Sequence, residues 1–394
     1  MKHILSLLCL VLIALLSCST KDSSVIVVDT DESYPLLNLK LSDVADISYI
    51  PLKSNRDSVM FINDDISKNI YVSKDEIIIR DRNHVDSKLL VYDRMGNLLH
   101  QIGRKGRGPG EFLDLFIFTA DTITNEVIIY NRNDSKFIVY DINGNYLNEK
   151  RLLEGGAEFY QMENIGQEYL VGYNYRSYYL APYMSKNPLG VDAIKGQGKS
   201  LIGFNRKSLT CIEIRDIHYP RPYISNSMPG LIWQITTTTE GAYITSFRSD
   251  TIFFIGRDLS VRPKFVDVTN YGHEDITIFP TMETNKYIFF YTQMEYGKRG
   301  KLRFFVYDKA SNRFFRINNN ISEDINKFNY RLALINNEIA LNQFTLTQNH
   351  DYAAILLTPM FLKDHYELLN NDLKTITDRL EEYDNPVLML MKFR

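Results

Sequence analysis

The chain is expected to be all-β: a six-bladed β-propeller with one amphipathic helix inserted in the last blade and a ring closed by its N- and C-terminal strands. Three observations carry that expectation. First, the stretch from Lys88 to Leu99 is repeated from Lys136 to Leu147, with Asp93 and Asp141 aligned 48 residues apart. Each copy is an alternating apolar strand, a turn holding Gly96-Asn97 or Gly144-Asn145, and a second strand, which is the chemistry of a tight β-hairpin. Second, weaker copies follow at Asn205, Asp258 and Asp308, giving spacings of 48, 64, 53 and 50. A period near fifty residues built from four strands is that of a propeller blade. Third, the 394 residues include 26 Tyr and 22 Phe but only 1 Trp. Such rings favour half-buried pleated surfaces and suit the spaces between blades.

Taken in order, Met1 to Ser17 has the form of a secretory signal. Lys2 and His3 precede an apolar run from Ile4 to Leu16 that is too short to span a bilayer comfortably as a helix. The run ends in Leu15-Leu16-Ser17-Cys18, a lipobox-like sequence in which Cys18 would take lipid and become the first mature residue. Residues 1–17 are then signal, 18–45 the lipidated cysteine and a tether, and 46–394 the propeller. Cys9 leaves with the signal and Cys18 takes lipid, so Cys211 has no disulfide partner and stability must come from the core. The address is the cell envelope, as an outer-membrane lipoprotein; Lys21-Asp22 only hints at an outward-sorting acidic cluster, which leaves the periplasmic and surface-facing leaflets both open.

Strands at Glu76 to Ile79 and Glu126 to Ile129 precede the two hairpins, and five units run from about Asp65 to Ile317. For the sixth, Arg331 to Ile335 and Glu338 to Phe344 would supply two strands, Val387 to Phe393 a third and Ile47 to Leu52 the outer fourth. Pairing the chain ends in this way removes exposed sheet edges. Leu369, Leu373, Ile376, Leu380 and Tyr383 recur at spacings of four and three, which predicts one amphipathic helix over 364–383, ended by Asn385-Pro386 and packed on the propeller.

Ile50-Pro51-Leu52, the run from Ile102 to Phe112, and Asn385-Pro386-Val387-Leu388 together make the chain resemble the six-bladed β-propeller lipoproteins of Gram-negative anaerobes, related in shape to NHL-repeat propellers. The resemblance covers nearly the whole mature chain and is strongest over 47–152. It implies architecture and surface location rather than a reaction, because most members of that family have no assigned activity.

The loops carry what functional signal there is. Gly103 to Gly110 has four glycines in eight positions, with Arg104, Lys105 and Arg107 between them and Glu111 after them. Glycines permit close backbone approach to an anion and the cations favour one, so the loop could take a phosphate, sulfate or uronate group. The plainer reading is an inter-blade crossover that needs positive φ, its arginines paired with nearby carboxylates. Arg80, Arg82 and His84 in blade one, with Arg132 in blade two, extend the same predicted ligand face, although Asp81, Asp86, Glu111 and Asp134 offset them. Tyr175, Tyr178 and Tyr179 cluster with Tyr173 and Tyr183 in a long blade-three insertion, where rings could stack on sugars or cover the channel mouth.

Enzyme motifs are thin. There is no His-Glu-x-x-His, no cysteine cluster and no Gly-x-Ser-x-Gly, and Gly272-His273-Glu274-Asp275 sits where a blade-to-blade turn is expected. With 45 basic against 48 acidic residues the chain has no global excess of positive charge for nucleic acid. The expected function is a lipid-anchored, extracytoplasmic ligand- or protein-binding or scaffold module, with the membrane, envelope proteins or an anionic or carbohydrate ligand as partners. The alternatives are a channel-metal hydrolase or lactonase, for which calcium would be the cofactor, and an accessory subunit of a glycan-uptake complex.

Overall fold

A computed structural model of the chain describes residues 25–53, 70–81, 87–121, 123–151, 159–174, 201–212, 233–246, 249–271, 276–294, 302–317, 329–342 and 345–394. Three short elements come first, β1 (Ile26–Val28), β2 (Leu36–Leu37) and α1 (Leu41–Val44), followed by β3 (Ala45–Pro51). Blade 1 is β4 (Ile70–Val72), β5 (Glu76–Asp81), β6 (Lys88–Asp93) and β7 (Leu98–Gln101); the short pair β8 (Arg104–Lys105) and β9 (Glu111–Phe112) then crosses to blade 2. Blade 2 is β10 (Ile117–Asp121), β11 (Glu126–Asn131), β12 (Lys136–Asp141) and β13 (Tyr146–Arg151). Blade 3 is β14 (Phe159–Ile165), β15 (Tyr169–Asn174), β16 (Leu201–Asn205) and β17 (Thr210–Ile212). Blade 4 is β18 (Trp233–Thr237), β19 (Gly241–Ser246), β20 (Thr251–Gly256) and β21 (Val261–Asp267), and blade 5 is β22 (Ile276–Glu283), β23 (Tyr287–Met294), β24 (Phe304–Asp308) and β25 (Arg313–Ile317). The helix α2 (Tyr330–Ile335) precedes β26 (Tyr352–Leu357); α3 (Pro359–Asp364) and α4 (Asn371–Thr377) separate β26 from β27 (Val387–Phe393).

Blades 1 to 5 are antiparallel meanders, and blade 6 has the order β26-β27-β3. The chain is a six-bladed β-propeller. The N-terminal β3 pairs along its whole length with the C-terminal β27, from Val387 opposite Pro51 to Phe393 opposite Ala45. Connections from the second to the third strand, and from each outer strand to the next blade, lie on one face of the disc, called the upper face below. The first-to-second and third-to-fourth turns lie on the lower face.

Strands such as β5 and β11 are continuous apolar runs because both their faces are covered by neighbouring blades. The core is accordingly divided into six clusters, one at each blade-to-blade junction. Aromatic rings fill several of them. Between blades 2 and 3, Tyr130 meets Phe159 edge-on at 5.0 Å and Phe137 meets Phe204 at 5.1 Å; between blades 4 and 5, Phe265 meets Phe290 at 5.1 Å. Each such pair adds about 0.5–1.5 kcal/mol beyond the area it buries. The junction of blades 3 and 4 is instead built mainly on aliphatic side chains, among them Val171, Leu201, Ile235 and Ile244.

The repeated hairpins form as expected. Asp93 accepts hydrogen bonds from the amides of Met95 and Asn97 and from the Asn97 side chain, and Asp141 repeats the bonds from Asn145. Gly96 (φ 77°) and Gly144 (φ 87°) make these turns possible. The repeat alignment needs one correction: the position in blade 4 equivalent to Asp308 is Gly256, the last residue of β20, and Asp258 lies two residues into the turn.

Three further expectations are corrected. Residues 331–335 and 338–344 do not supply strands to blade 6. The first belongs to α2, because the Asn329 side chain accepts from the amides of Arg331 and Leu332 and so caps a helix; within the described part of the second, Ile339, Ala340 and Leu341 are buried without strand pairing. The missing strand is β26, whose apolar run Tyr352–Leu357 suits a position buried on both sides. The single helix over 364–383 is broken: α3 ends near His365, a 3-10 turn spans Tyr366–Leu368, and Asn370 caps α4 by accepting from Leu373 N at 2.9 Å. The apolar stripe still packs as expected through Leu369, Leu373, Ile376 and Leu380, but Tyr383 is 80 % exposed. Finally, residues 26–45 are not a free tether. β1 adds in parallel to β21 and β2 in parallel to β25, so this segment runs as a strap along the outer edges of blades 4 and 5 before entering blade 6 as β3.

Candidate functional site

The glycine-rich loop crosses the upper face between blades 1 and 2. Arg104 and Lys105 pair in parallel with Glu111 and Phe112, and the amide of Gly106 donates to the carbonyl of Phe112. The loop therefore closes on itself around Glu111. That carboxylate accepts from Gly108 N at 2.8 Å and from Arg104 Nε at 2.7 Å, and these bonds, the backbone one foremost, hold it below the usual glutamate range. A Cβ at Gly106 would sit 2.0 Å from Glu111 Oε2, so a side chain there would displace the carboxylate from this position.

Blade 2 pins the far end of the loop. Tyr140 donates to the Gly110 carbonyl at 2.5 Å, Tyr146 packs where a Gly110 Cβ would be, and Glu149 accepts from Gly110 N at 3.4 Å while paired with Lys136 Nζ at 2.9 Å. Burial foremost pushes the Tyr140 phenol up, so it remains a donor, while the bond from Lys136 lowers the Glu149 carboxyl. None of these supporting groups stood out in the sequence. Alternation along β12 places Lys136 and Tyr140 on one side, but Tyr146 and Glu149, three residues apart in β13, reach that side only through the register shift at Val139/Tyr140, which simple alternation does not predict.

The arrangement presents cations outward around a backbone that already holds one carboxylate. Arg104 has 79 % of its side chain exposed, and Lys105 and Arg107 are exposed beside it. Arg132, in the turn after β11, lies over the Phe116 ring at 4.6 Å and pairs with Asp114 at 3.4 Å, which fixes it at the foot of the same crossover. Arg80 does not join them: at 5 % exposure it is buried in β5, at a position two-sided packing encloses. Arg82, His84, Tyr175, Tyr178, Tyr179, Cys18 and the run from Gly272 to Asp275 lie outside the described residues.

Around the central channel, inner-strand amides tie one blade to the next. The Gln161 side chain donates to Ile235 O at 2.7 Å and accepts from Ile235 N at 2.9 Å, and Gln234 donates to Pro280 O; Gln348, in the bend before β26 rather than on a strand, donates to Phe118 O and accepts from Ala120 N of blade 2. Their polar atoms are spent on holding the ring. Among the described residues no group of three or more His, Cys, Asp or Glu side chains is arranged to hold a metal ion.

Residues 24–392 match the family described as Domain of unknown function (DUF4934). The chain belongs to the DUF4934 family. It is similar in fold to a crystal structure of a "Putative exported protein" from Bacteroides fragilis, with 16% identity, a TM-score of 0.63, and coverage of 94% of this chain and 100% of that one. A DUF4221 member from Bacteroides vulgatus gives 7% identity and a TM-score of 0.44 over 69% of this chain and 86% of the other. At 16% identity the likeness to the Bacteroides fragilis protein is one of fold. No curated protein matches. Among the described residues no helix is long and apolar enough to cross a membrane.

Proposed function

We propose that this DUF4934 chain is a lipid-anchored, extracytoplasmic binding module of the cell envelope, tethered through Cys18, whose upper face at blades 1 and 2 takes an anionic group of a glycan or partner protein. The observation that carries the reading is the seat of Glu111. The loop amides and Arg104 already hold one carboxylate at hydrogen-bond distance, with Lys105 and Arg107 exposed beside it. A site with that geometry suits a uronate, sulfate or phosphate group brought by a ligand. The channel supports an enzyme less well, because the glutamines on its inner strands bond to the neighbouring blades.

Capture of the intact lipoprotein from native membranes tests the reading, with Arg104→Ala/Arg107→Ala as the comparison. An acidic glycan or protein recovered with the parent chain and lost with the double variant is the expected result. Equal recovery by both would remove the loop from the account. Recovery of nothing, combined with turnover of a lactone or glycoside panel, would overturn the binding-module reading itself.

A further inference from the structure

The strap joins the ring close to the anchor proposed above. Only the six residues 19–24 separate Cys18 from Val25. Fully extended, that span reaches about 25 Å, so the place of Val25 decides which side of the molecule the lipid holds. β21 rises from its lower-face turn towards the upper face, and β1 runs parallel to it along the outer edge of blade 4. The chain thus enters this edge from the lower-face side. In a six-bladed ring the junction of blades 4 and 5 stands opposite that of blades 1 and 2, so the point of entry and the cationic loop lie on opposite sides of the disc.

This point is fixed to the ring. Val28 is buried in the junction cluster of blades 4 and 5, and Ile26 packs against it. Beyond them, Thr30 donates through its hydroxyl to Asp267 Oδ2 at 3.1 Å and through its amide to Thr269 Oγ1 at 2.7 Å, and Thr269 donates in turn to Asp29 Oδ1 at 2.7 Å. Arg303 of blade 5 donates to the Thr30 carbonyl and pairs with Asp31 at 3.4 Å. A pull on Val25 is therefore a pull on blades 4 and 5.

The same edge carries an apolar face. Because Ile26 and Val28 turn inward, strand alternation turns Val25 and Val27 outward, where they are 40 % and 58 % exposed. Val27 stands opposite the half-buried Val266, whose neighbours Phe265 and Asp267 are buried, and Val268 follows on the same side at 42 % exposure. Four valines are gathered in this way on one side of two paired strands. β1 is also the last strand of its sheet, and Ile26-Val27-Val28 has no Lys, Glu or Pro of the kind that guards an exposed edge. A short leash makes contact with the bilayer intramolecular, so a small apolar area is enough to hold the edge there.

We infer that the outer edge of blade 4 is the membrane-facing side of the protein, an inference that rests on the anchoring through Cys18 proposed above. Val25, Val27, Val266 and Val268 lie at headgroup depth, where water still reaches the free edge of β1. The disc then stands edge-on, with the loop between blades 1 and 2 turned away from the bilayer.

The test uses the full-length lipoprotein with Cys211→Ser, reconstituted in vesicles of phosphatidylethanolamine and phosphatidylglycerol that contain a headgroup-nitroxide lipid. A bimane fluorophore is attached through Val27→Cys, through Met95→Cys in the lower-face turn of blade 1, or through Tyr383→Cys beyond α4; Met95 and Tyr383 are both highly exposed. The nitroxide should quench the bimane at 27 about threefold or more over that at 95 or 383. Val268→Glu, which leaves the strap itself unchanged, should bring the quenching at 27 down to the level at 95. Equal quenching at 27 and 95 would lay the lower face on the bilayer. A bimane at 27 shielded from aqueous iodide but untouched by the nitroxide would give the patch to a second copy or another protein. Either result, or quenching at 27 that survives Val268→Glu, would overturn the inference while leaving the anchor in place. The mass of the N-terminal peptide reports the anchor separately: a Cys18 without acyl chains would overturn the anchored reading and this inference with it.

Discussion

Gly96 and Gly144 occupy equivalent turns and differ in what lies behind them. A Cβ on Gly96 would sit 2.1 Å from the carbonyl oxygen of Pro51, whereas on Gly144 it would sit 3.2 Å from that of Gln101. Both have positive φ, so alanine strains either turn by about 1 kcal/mol or more. Gly96→Ala adds a backbone collision and should be clearly the worse of the two in chemical denaturation; equal losses would mean that the turn, not the contact with β3, sets the cost. The aspartates of these turns give a pH prediction. The Asn97 and Asn145 side chains, chief among the donors, hold Asp93 and Asp141 below the ordinary aspartate range. A carboxyl lowered in the folded state contributes stability above its unfolded value, about 3.9, and loses it as pH falls through the folded value. The stability gap between the parent chain and Asp141→Asn, measured by denaturation at stepped pH, should therefore be open near pH 6 and close below about pH 4. A gap independent of pH would contradict the assignment.

Between elements, the most exacting joint is Arg206, which leaves β16 of blade 3 and enters blade 2. Its side chain is 2 % exposed and pairs with Asp121 at 3.2 Å and Glu126 at 3.4 Å, while its Nε donates to Asn164 at 3.1 Å. Removing one partner of such a buried pair typically costs about 3–5 kcal/mol, because the other charge is stranded. Arg206→Leu should fall in that range by denaturant titration, and adding Asp121→Asn should restore part of the loss; a fully additive double variant would show that the pair is not coupled. The hairpins were legible in the sequence because Asp-x-x-Gly-Asn writes its own turn chemistry. Blade 6 was not. There Asn329 and Asn370 act as caps, and the periodicity of the surrounding apolar residues is the same whether a cap interrupts the helix or not. The strap was equally hidden: β1 and β2 are three and two residues long, and their pairing in parallel with distant outer strands leaves no local pattern. Deleting residues through Leu37 removes both but spares β3, so it should lower stability without opening the ring. Loss of all cooperative unfolding in that truncated chain would contradict this.

At the scale of the molecule, six junction clusters and the β3–β27 pairing make one closed ring, and among the described residues Phe and Tyr rings fill several of its junctions. The cationic loop was legible as glycines and arginines in one stretch, together with the alternative that its arginines would pair with nearby carboxylates. Which carboxylate fills it was not, because Glu111 enters by pairing in parallel with Arg104. Arg80 illustrates the opposite failure: its charge suggested a ligand face, but strand position decides burial. On the function proposed above, the loop would be a seat for a carboxylate that Glu111 occupies when no ligand is present, and an external anion would compete with it. Equilibrium titration of an oligogalacturonide against the parent chain, Glu111→Gln and Arg104→Ala/Arg107→Ala tests that claim most directly. The account predicts tightest binding by Glu111→Gln, several-fold weaker binding by the parent chain and at least tenfold further loss in the double variant; equal affinities across the three, or weaker binding by Glu111→Gln than by the parent, would contradict it.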